Sequence, residues 1–307
     1  MYLLGIESKP KGLRRSGSDL HLDRFGIDSF SFHRFFGENS KWEVPSETKW
    51  GTKDFINFAQ EHDLDLITLQ TAYLDLSDSE IYDEIKRWTS DSKNYLAFTW
   101  GHPNGFNGGK NQDALKSATE WLERSAEFEL EQMRIVFGNH FNFDEAPSIR
   151  MGRIGDQLEV LVKRARQLGV RLSVENHADF NVPVLLDIIT GIDDQYLGLC
   201  LDLGNSYRVG DDINQLMEDI DTSRIFMIQA KELDQMPDNA PGAPIGWWPT
   251  VNFGTAKIDV AKRINRLIQR GFDGPIAIEL SNLGAGLNEI GVAEQAIDYL
   301  RANLSTR

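Results

Sequence analysis

The sequence predicts a (β/α)8 barrel, on three observations. Short apolar, β-branched runs alternate with longer amphipathic segments. The alternation repeats eight times within about 285 residues, which is what a closed parallel barrel requires. The later strands each end in polar residues, where such a barrel carries its chemistry. The strand candidates in order are Arg24–Phe32, Leu64–Thr71, Tyr95–Trp100, Met133–Gly138, Arg171–His177, Leu197–Leu203, Ile225–Lys231 and Pro275–Leu280. Each is followed by a helical pattern: Thr52–His62, Ser79–Thr89, Gln112–Phe128, Gly152–Leu168, Val182–Ile189, Ile213–Ile220, Lys257–Arg270 and Val292–Asn303. In LEVLVKRARQLG and IDVAKRINRLIQRG the apolar residues recur at i, i+3, i+4 and i+7, and each run closes on a glycine suited to a helix C-terminus. An open doubly wound sheet is disfavoured, because SFSFHRFFGE follows the first strand where that fold places a glycine-rich turn. GHPNGFNGGK, residues 101–110, contains neither GxGxxG nor a Walker motif and reads as the third βα loop.

Residues 21–307 read as one barrel domain, and residues 1–20 as a flexible arm. The formal charge of −15, from 32 basic and 47 acidic side chains, argues against a phosphate-backbone binder and hence against nucleic acid as a partner. Hydrophobic residues make up 41% of the chain, ample for a core, and mean hydropathy is −0.37. No apolar run approaches the roughly 20 residues that span a bilayer, so no membrane association is expected. The first residues lack the apolar core of a secretory signal, and the single cysteine, Cys200, leaves no internal disulfide. A cytoplasmic location is the expectation, with Cys200 a small core residue.

The chemistry gathers at four strand ends: SVENH, CLDLGN, IQAKE and IAIELS. They place Glu175 and His177, Asp202 and Asn205, Gln229 and Lys231, and Glu279 at the barrel mouth. Residues two apart on a strand share a face, so Glu175 pairs with His177 and Gln229 with Lys231. Three carboxylates in one lumen repel one another and lose hydration unless a cation neutralises them. One divalent ion held by Glu175, Asp202, Gln229 and Glu279 meets that need. The all-oxygen donor set favours Mn2+, with Mg2+ or Co2+ as the other choices, over Zn2+.

The run ENH, LDLGN, Q-x-K-E, GxxxID, IEL resembles the xylose-isomerase-like TIM-barrel superfamily, which contains sugar isomerases, sugar epimerases and endonuclease-IV-like proteins. The resemblance covers about residues 24–305 and implies the same four metal-holding positions. It departs at Gln229, where most relatives carry histidine. The start GIDSFSFHRFFGE together with Gln229 looks most like the large subunits of bacterial C-glycoside deglycosidases. That narrower likeness implies a small second subunit and a C-glycoside substrate oxidised at C3 of its sugar.

His177 is the expected base, two residues past a metal-holding position and titrating near working pH. Glu175 and Glu279 are further acid–base candidates. Lys231 is expected either to stabilise an oxyanion or to pair with Glu232 or another carboxylate. His102 and His140, at the ends of strands three and four, are candidates for substrate hydroxyls, and Asn205 for orienting carboxylates or substrate. Trp247 and Trp248 lie in a proline-rich connection, Leu233–Gly254, and suit either a sugar or aromatic aglycone or a subunit contact, homo-oligomeric or with a second subunit. The expected reaction is proton removal beside a carbonyl to an enediolate. It would end in elimination of an aglycone or, alternatively, in isomerisation or epimerisation of a ketose or sugar phosphate. Endonuclease-like DNA repair is disfavoured by six histidines and the acidic charge. A noncatalytic sugar-binding barrel would not need the three carboxylates.

Overall fold

The computed structural model describes residues 24–139, 145–234 and 248–305. The predicted arm, His140 and Trp247 lie outside them. Eight parallel strands close into a barrel in sequential order: β1 Phe25–Asp28, β2 Leu66–Gln70, β3 Tyr95–Trp100, β4 Gln132–Val136, β5 Arg171–Glu175, β6 Leu197–Asp202, β7 Ile225–Ala230 and β8 Ile276–Ile278. Around it run α1 Thr52–Glu61, α2 Ser79–Ser90, α3 Ala114–Glu127, α4 Pro147–Leu168, α5 Val182–Ile192, α6 Leu203–Arg208, α7 Ile213–Asp219, α8 Val260–Gln269 and α9 Glu289–Asn303. No described helix is long and apolar enough to cross a membrane.

The strands are buried on both faces, as a parallel sheet wrapped by helices requires. α8 shows the matching helical logic: Val260, Ala261, Ile264, Leu267 and Ile268 are buried, while the positions between them carry Lys262, Arg263 and Arg266. Gly26 is required by the close approach of β1 to β2, since a Cβ there would fall 1.6 Å from the Leu66 carbonyl oxygen.

Several boundaries differ from expectation, each for a local reason. β1 stops at Asp28, not Phe32, because the Asp28 carboxylate accepts the Phe30 N–H and starts a 3-10 turn over Ser29–Phe32. α4 begins at Pro147, five residues early, with the proline in its first turn where the missing N–H costs nothing. α8 begins at Val260, not Lys257, because Asp259 caps it by accepting from the Lys262 N–H. The sixth β-to-α connection holds a short helix, α6, that the sequence pattern did not reveal. It is capped by Asp202, whose Oδ1 accepts the Asn205 N–H at 2.8 Å.

Candidate active site

Parallel register carries the strand-end residues to one mouth. Asp202 stands level with Gln229, Gln229 with Ala277, and Glu175 with Cys200. Glu175, Asp202 and Glu279 each offer an oxygen within 4.8 Å of the others, and all three are buried. Two metal–oxygen bonds of about 2.0–2.6 Å bridge such separations, so the three carboxylates fit a divalent ion.

Asn205 holds two of them. Its amide donates to Glu175 Oε1 at 3.1 Å and to Asp202 Oδ2 at 2.9 Å, so it ties the two carboxylates together. Its own oxygen accepts from the half-buried Arg208 at 2.7 Å, and desolvation lowers the pKa of that guanidinium to about 10. Gln229 lies beside Glu279, donating Nε2–H to Oε2, while its oxygen accepts from the Cys200 thiol at 3.4 Å. In this orientation the amide nitrogen faces the carboxylates, so Gln229 as an oxygen ligand requires its amide to turn. Cys200 is buried, as expected, and burial pushes its thiol well above its ordinary range.

The lumen supplies cations of its own beside any metal it would hold. Lys231 Nζ sits 2.7 Å from Asp202 Oδ2 and 2.5 Å from Glu279 Oε1, which settles its partner as these two and not Glu232. Glu232 instead caps α8, accepting the N–H groups of Asp259 and Val260. Arg134, 1% exposed at mid-strand in β4, places Nη1 3.0 Å from Glu175 Oε2 and Nη2 3.7 Å from Asp28 Oδ2. Asp28 closes the chain by accepting from the Thr68 hydroxyl at 2.6 Å. Burial pushes the Glu175 pKa up to about 8; the nearby Glu279 and Asp202 add to that push, and Arg134 and Lys231 oppose it. Burial alone would lower Lys231, but its carboxylate neighbours raise it above the ordinary ammonium value.

Sequence reasoning missed Arg134, Asp28, Asn176 and Glu38. For Arg134 a signal existed: an arginine inside QMRIV, a strand with no solvent face, must find a buried partner. Asn176 lies between two residues that were singled out, yet it pins β5 to β6. Its amide donates to the Asp202 carbonyl at 2.9 Å, and its oxygen accepts the Asp202 N–H at 2.8 Å.

Beside the carboxylates stands a histidine pair. His177 Nδ1 donates to the Gly138 carbonyl at 2.8 Å, and its Nε2 lies 3.3 Å from His102 Nδ1. His102 Nε2 lies 3.1 Å from Glu38 Oε1, and the Tyr73 hydroxyl donates to Glu38 Oε2 at 2.7 Å. His102, expected to meet substrate, thus has both ring nitrogens engaged. Burial, then the neighbouring His102, lower His177 well below its ordinary value, which keeps it neutral. Burial alone would raise Glu38, but hydrogen bonds from His102 and Tyr73 hold it at about 2. Trp248 is half-buried, its ring 5.0 Å from that of Tyr207 on α6, and its carbonyl accepts from Arg208 at 3.2 Å.

A closed parallel barrel with a buried acidic cluster at its mouth defines the class. The family model for xylose isomerase-like TIM barrels matches residues 24–303, and the chain belongs to that family. Among solved structures, an IOLI protein with a bound zinc atom superposes with a TM-score of 0.69 at 17% identity, over 92% of this chain and 99% of that one. An L-ribulose 3-epimerase gives 0.69 at 16%, over 92% and 94%. A D-tagatose 3-epimerase-like protein gives 0.66 at 15%, over 91% and 97%. At such identities the likeness is one of fold. No curated protein matches the sequence.

Proposed function

We propose that this protein is a sugar enzyme that takes a proton from the carbon beside a carbonyl and returns it, as a ketose epimerase or isomerase. One divalent ion, Mn2+ by donor chemistry, would be held by Glu175, Asp202 and Glu279, with Gln229 as a fourth position. The observation that carries this reading is that three buried carboxylate oxygens lie within 4.8 Å of one another at the mouth of a barrel of this family. The solved neighbours described as 3-epimerases support it. When bound, such an ion polarises the carbonyl and makes the neighbouring C–H more acidic.

The chain's own residues supply the rest. Asn205 fixes the Glu175 and Asp202 carboxylates and Asn176 the backbone of Asp202, so their geometry does not have to be organised during the reaction. His177, held neutral, is the proton acceptor, with Glu175 and Glu279 as the carboxylates that would serve the other face of the sugar. Lys231 has N–H donors for an oxygen that gains charge.

The histidine pair favours a second reading, elimination from a 3-oxo-C-glycoside by a C-glycoside deglycosidase large subunit. A proton held at His102 and His177 would protonate the departing aglycone carbon, and a small second subunit would complete the assembly. One experiment separates the readings. Purified protein is analysed for metal, loaded with Mn2+, Mg2+ or Co2+, and incubated in D2O with L-ribulose, D-tagatose, D-fructose and a 3-oxo-C-glycoside. Deuterium entering beside a ketose carbonyl supports the first reading, and aglycone release supports the second. Neither event with any loaded metal overturns both.

A further inference from the structure

The position of Lys231 bears on how a metal could enter. Its ammonium is 3% exposed and lies between Asp202 and Glu279. Its stem is seated on Gly204, where a Cβ would meet the lysine Cγ and Cδ at 2.8 Å. One of the acceptors it touches, Asp202 Oδ2, is already doubly occupied. Asp202 Oδ2 accepts from both Lys231 and Asn205, and Asp202 Oδ1 from the Asn205 N–H. Glu279 Oε1 takes Lys231 and Oε2 takes Gln229. A carboxylate oxygen has about two lone-pair directions, so a metal bond to Asp202 Oδ2 needs the one that Lys231 now fills. An ammonium and a divalent ion on the same oxygens would also repel each other strongly at low local dielectric.

We propose that Lys231 is the resident counterion of Asp202 and Glu279, and that its ammonium and a divalent metal ion compete for those two carboxylates. Metal entry then releases Lys231 from at least one of them. Metal loss lets the lysine return and keep the lumen neutralised, so the barrel does not depend on metal to fold. Arg134 pairs with Glu175 and Asp28 and makes no ion pair with Asp202 or Glu279 among the described residues, so it is not the counterion these two would exchange. This inference rests on the metal-holding reading above, but not on which sugar is turned over.

The test uses the full chain, with no substrate present. Mn2+ and Zn2+ are titrated into wild type and Lys231→Met in competition with a chelating dye. Lys231→Met keeps a stem of similar length and removes the charge. At least tenfold tighter binding in Lys231→Met is expected, together with a lower melting temperature for its metal-free form that metal restores. Equal or weaker affinity overturns the proposal, as does failure of both proteins to bind either ion. Should Lys231→Met not fold, wild-type crystals soaked in Mn2+ decide. Lys231 Nζ more than 3.5 Å from Asp202 Oδ2 or Glu279 Oε1 supports exchange, whereas both contacts kept beside a bound ion overturn it. Inactivity on every sugar with intact competition would sink the proposed function alone. Wild-type turnover together with a metal affinity unchanged in Lys231→Met would sink this inference alone.

Discussion

His102 Nδ1 and His177 Nε2 meet at 3.3 Å, with the two ring planes at 88°. His177 Nδ1–H donates to the Gly138 carbonyl, and burial keeps that ring neutral, so its Nε2 presents a lone pair toward His102. His102 in turn lies against the Glu38 carboxylate, so the neutral imidazole is backed by a carboxylate through a second ring.

If His177 is the proton acceptor, His177→Ala should lower solvent-deuterium exchange into a turned-over ketose by about 10²–10⁴-fold. Its metal content should be unchanged, since Glu175, Asp202 and Glu279 remain. Glu175→Ala should lose both metal and exchange. Retention of more than about a tenth of the activity in His177→Ala would give the proton to a carboxylate instead.

Glu38 supplies a pH signature. Its folded pKa of about 2 lies below its ordinary value of 4.5, so its stabilising contribution is complete above about 4.5 and disappears as pH falls toward 2. Glu38→Gln should destabilise the fold measurably at pH 7 and less at pH 3. Urea unfolding midpoints at the two pH values check this, and an equal loss at both would mean that the carboxylate charge contributes nothing.

These relationships mark the limit of what could be read in advance. β3 was legible at both ends, because Tyr95–Trp100 is apolar or aromatic at every position but Thr99 and is flanked by Asn94 and Gly101. Glu175, Asp202, Gln229 and Glu279 were legible because a barrel repeats one rule, polar residues at strand ends, and repetition reveals it. Glu38 breaks that rule. It follows β1 by ten residues and reaches His102, 64 positions away, through a loop whose path no periodicity encodes. α6 escaped because six residues span fewer than two helical turns, and its cap, Asp202, already had a reading as a metal-holding group. Where one residue serves both backbone and chemistry, the pattern shows only one of the two.

Asn205 tests how much of the acidic cluster is organised beforehand. Its amide ties Glu175 to Asp202, and its oxygen anchors Arg208. Asn205→Ala should weaken Mn2+ binding by about 10–100-fold, the usual effect of removing a group that orients metal-holding side chains. Dye competition measures it. Unchanged affinity would show that the backbone bond from residue 205 to Asp202 Oδ1 is sufficient by itself.

Asp179, in the loop after β5, is a buried acid with an unbalanced environment. Its Oδ1 accepts the Phe180 N–H at 3.1 Å, and its Oδ2 is buried with no hydrogen-bond partner among the described residues. Burial raises its pKa to about 7, only partly opposed by backbone donors and by Arg150. The folded value exceeds the ordinary 3.8, so between about pH 4 and 7 the unfolded chain releases a proton that the folded chain keeps. Stability falls across that window, and the full penalty is present above it. Asp179→Asn removes the titration and retains an oxygen for the Phe180 N–H. Its stability relative to wild type should therefore grow from pH 4 to pH 7 and then level off, reaching on the order of a few kcal/mol. Urea unfolding of both proteins at pH 4.5, 6 and 8 tests this. A difference that stays constant across the three would mean that Asp179 ionises in the folded barrel as readily as it does in water.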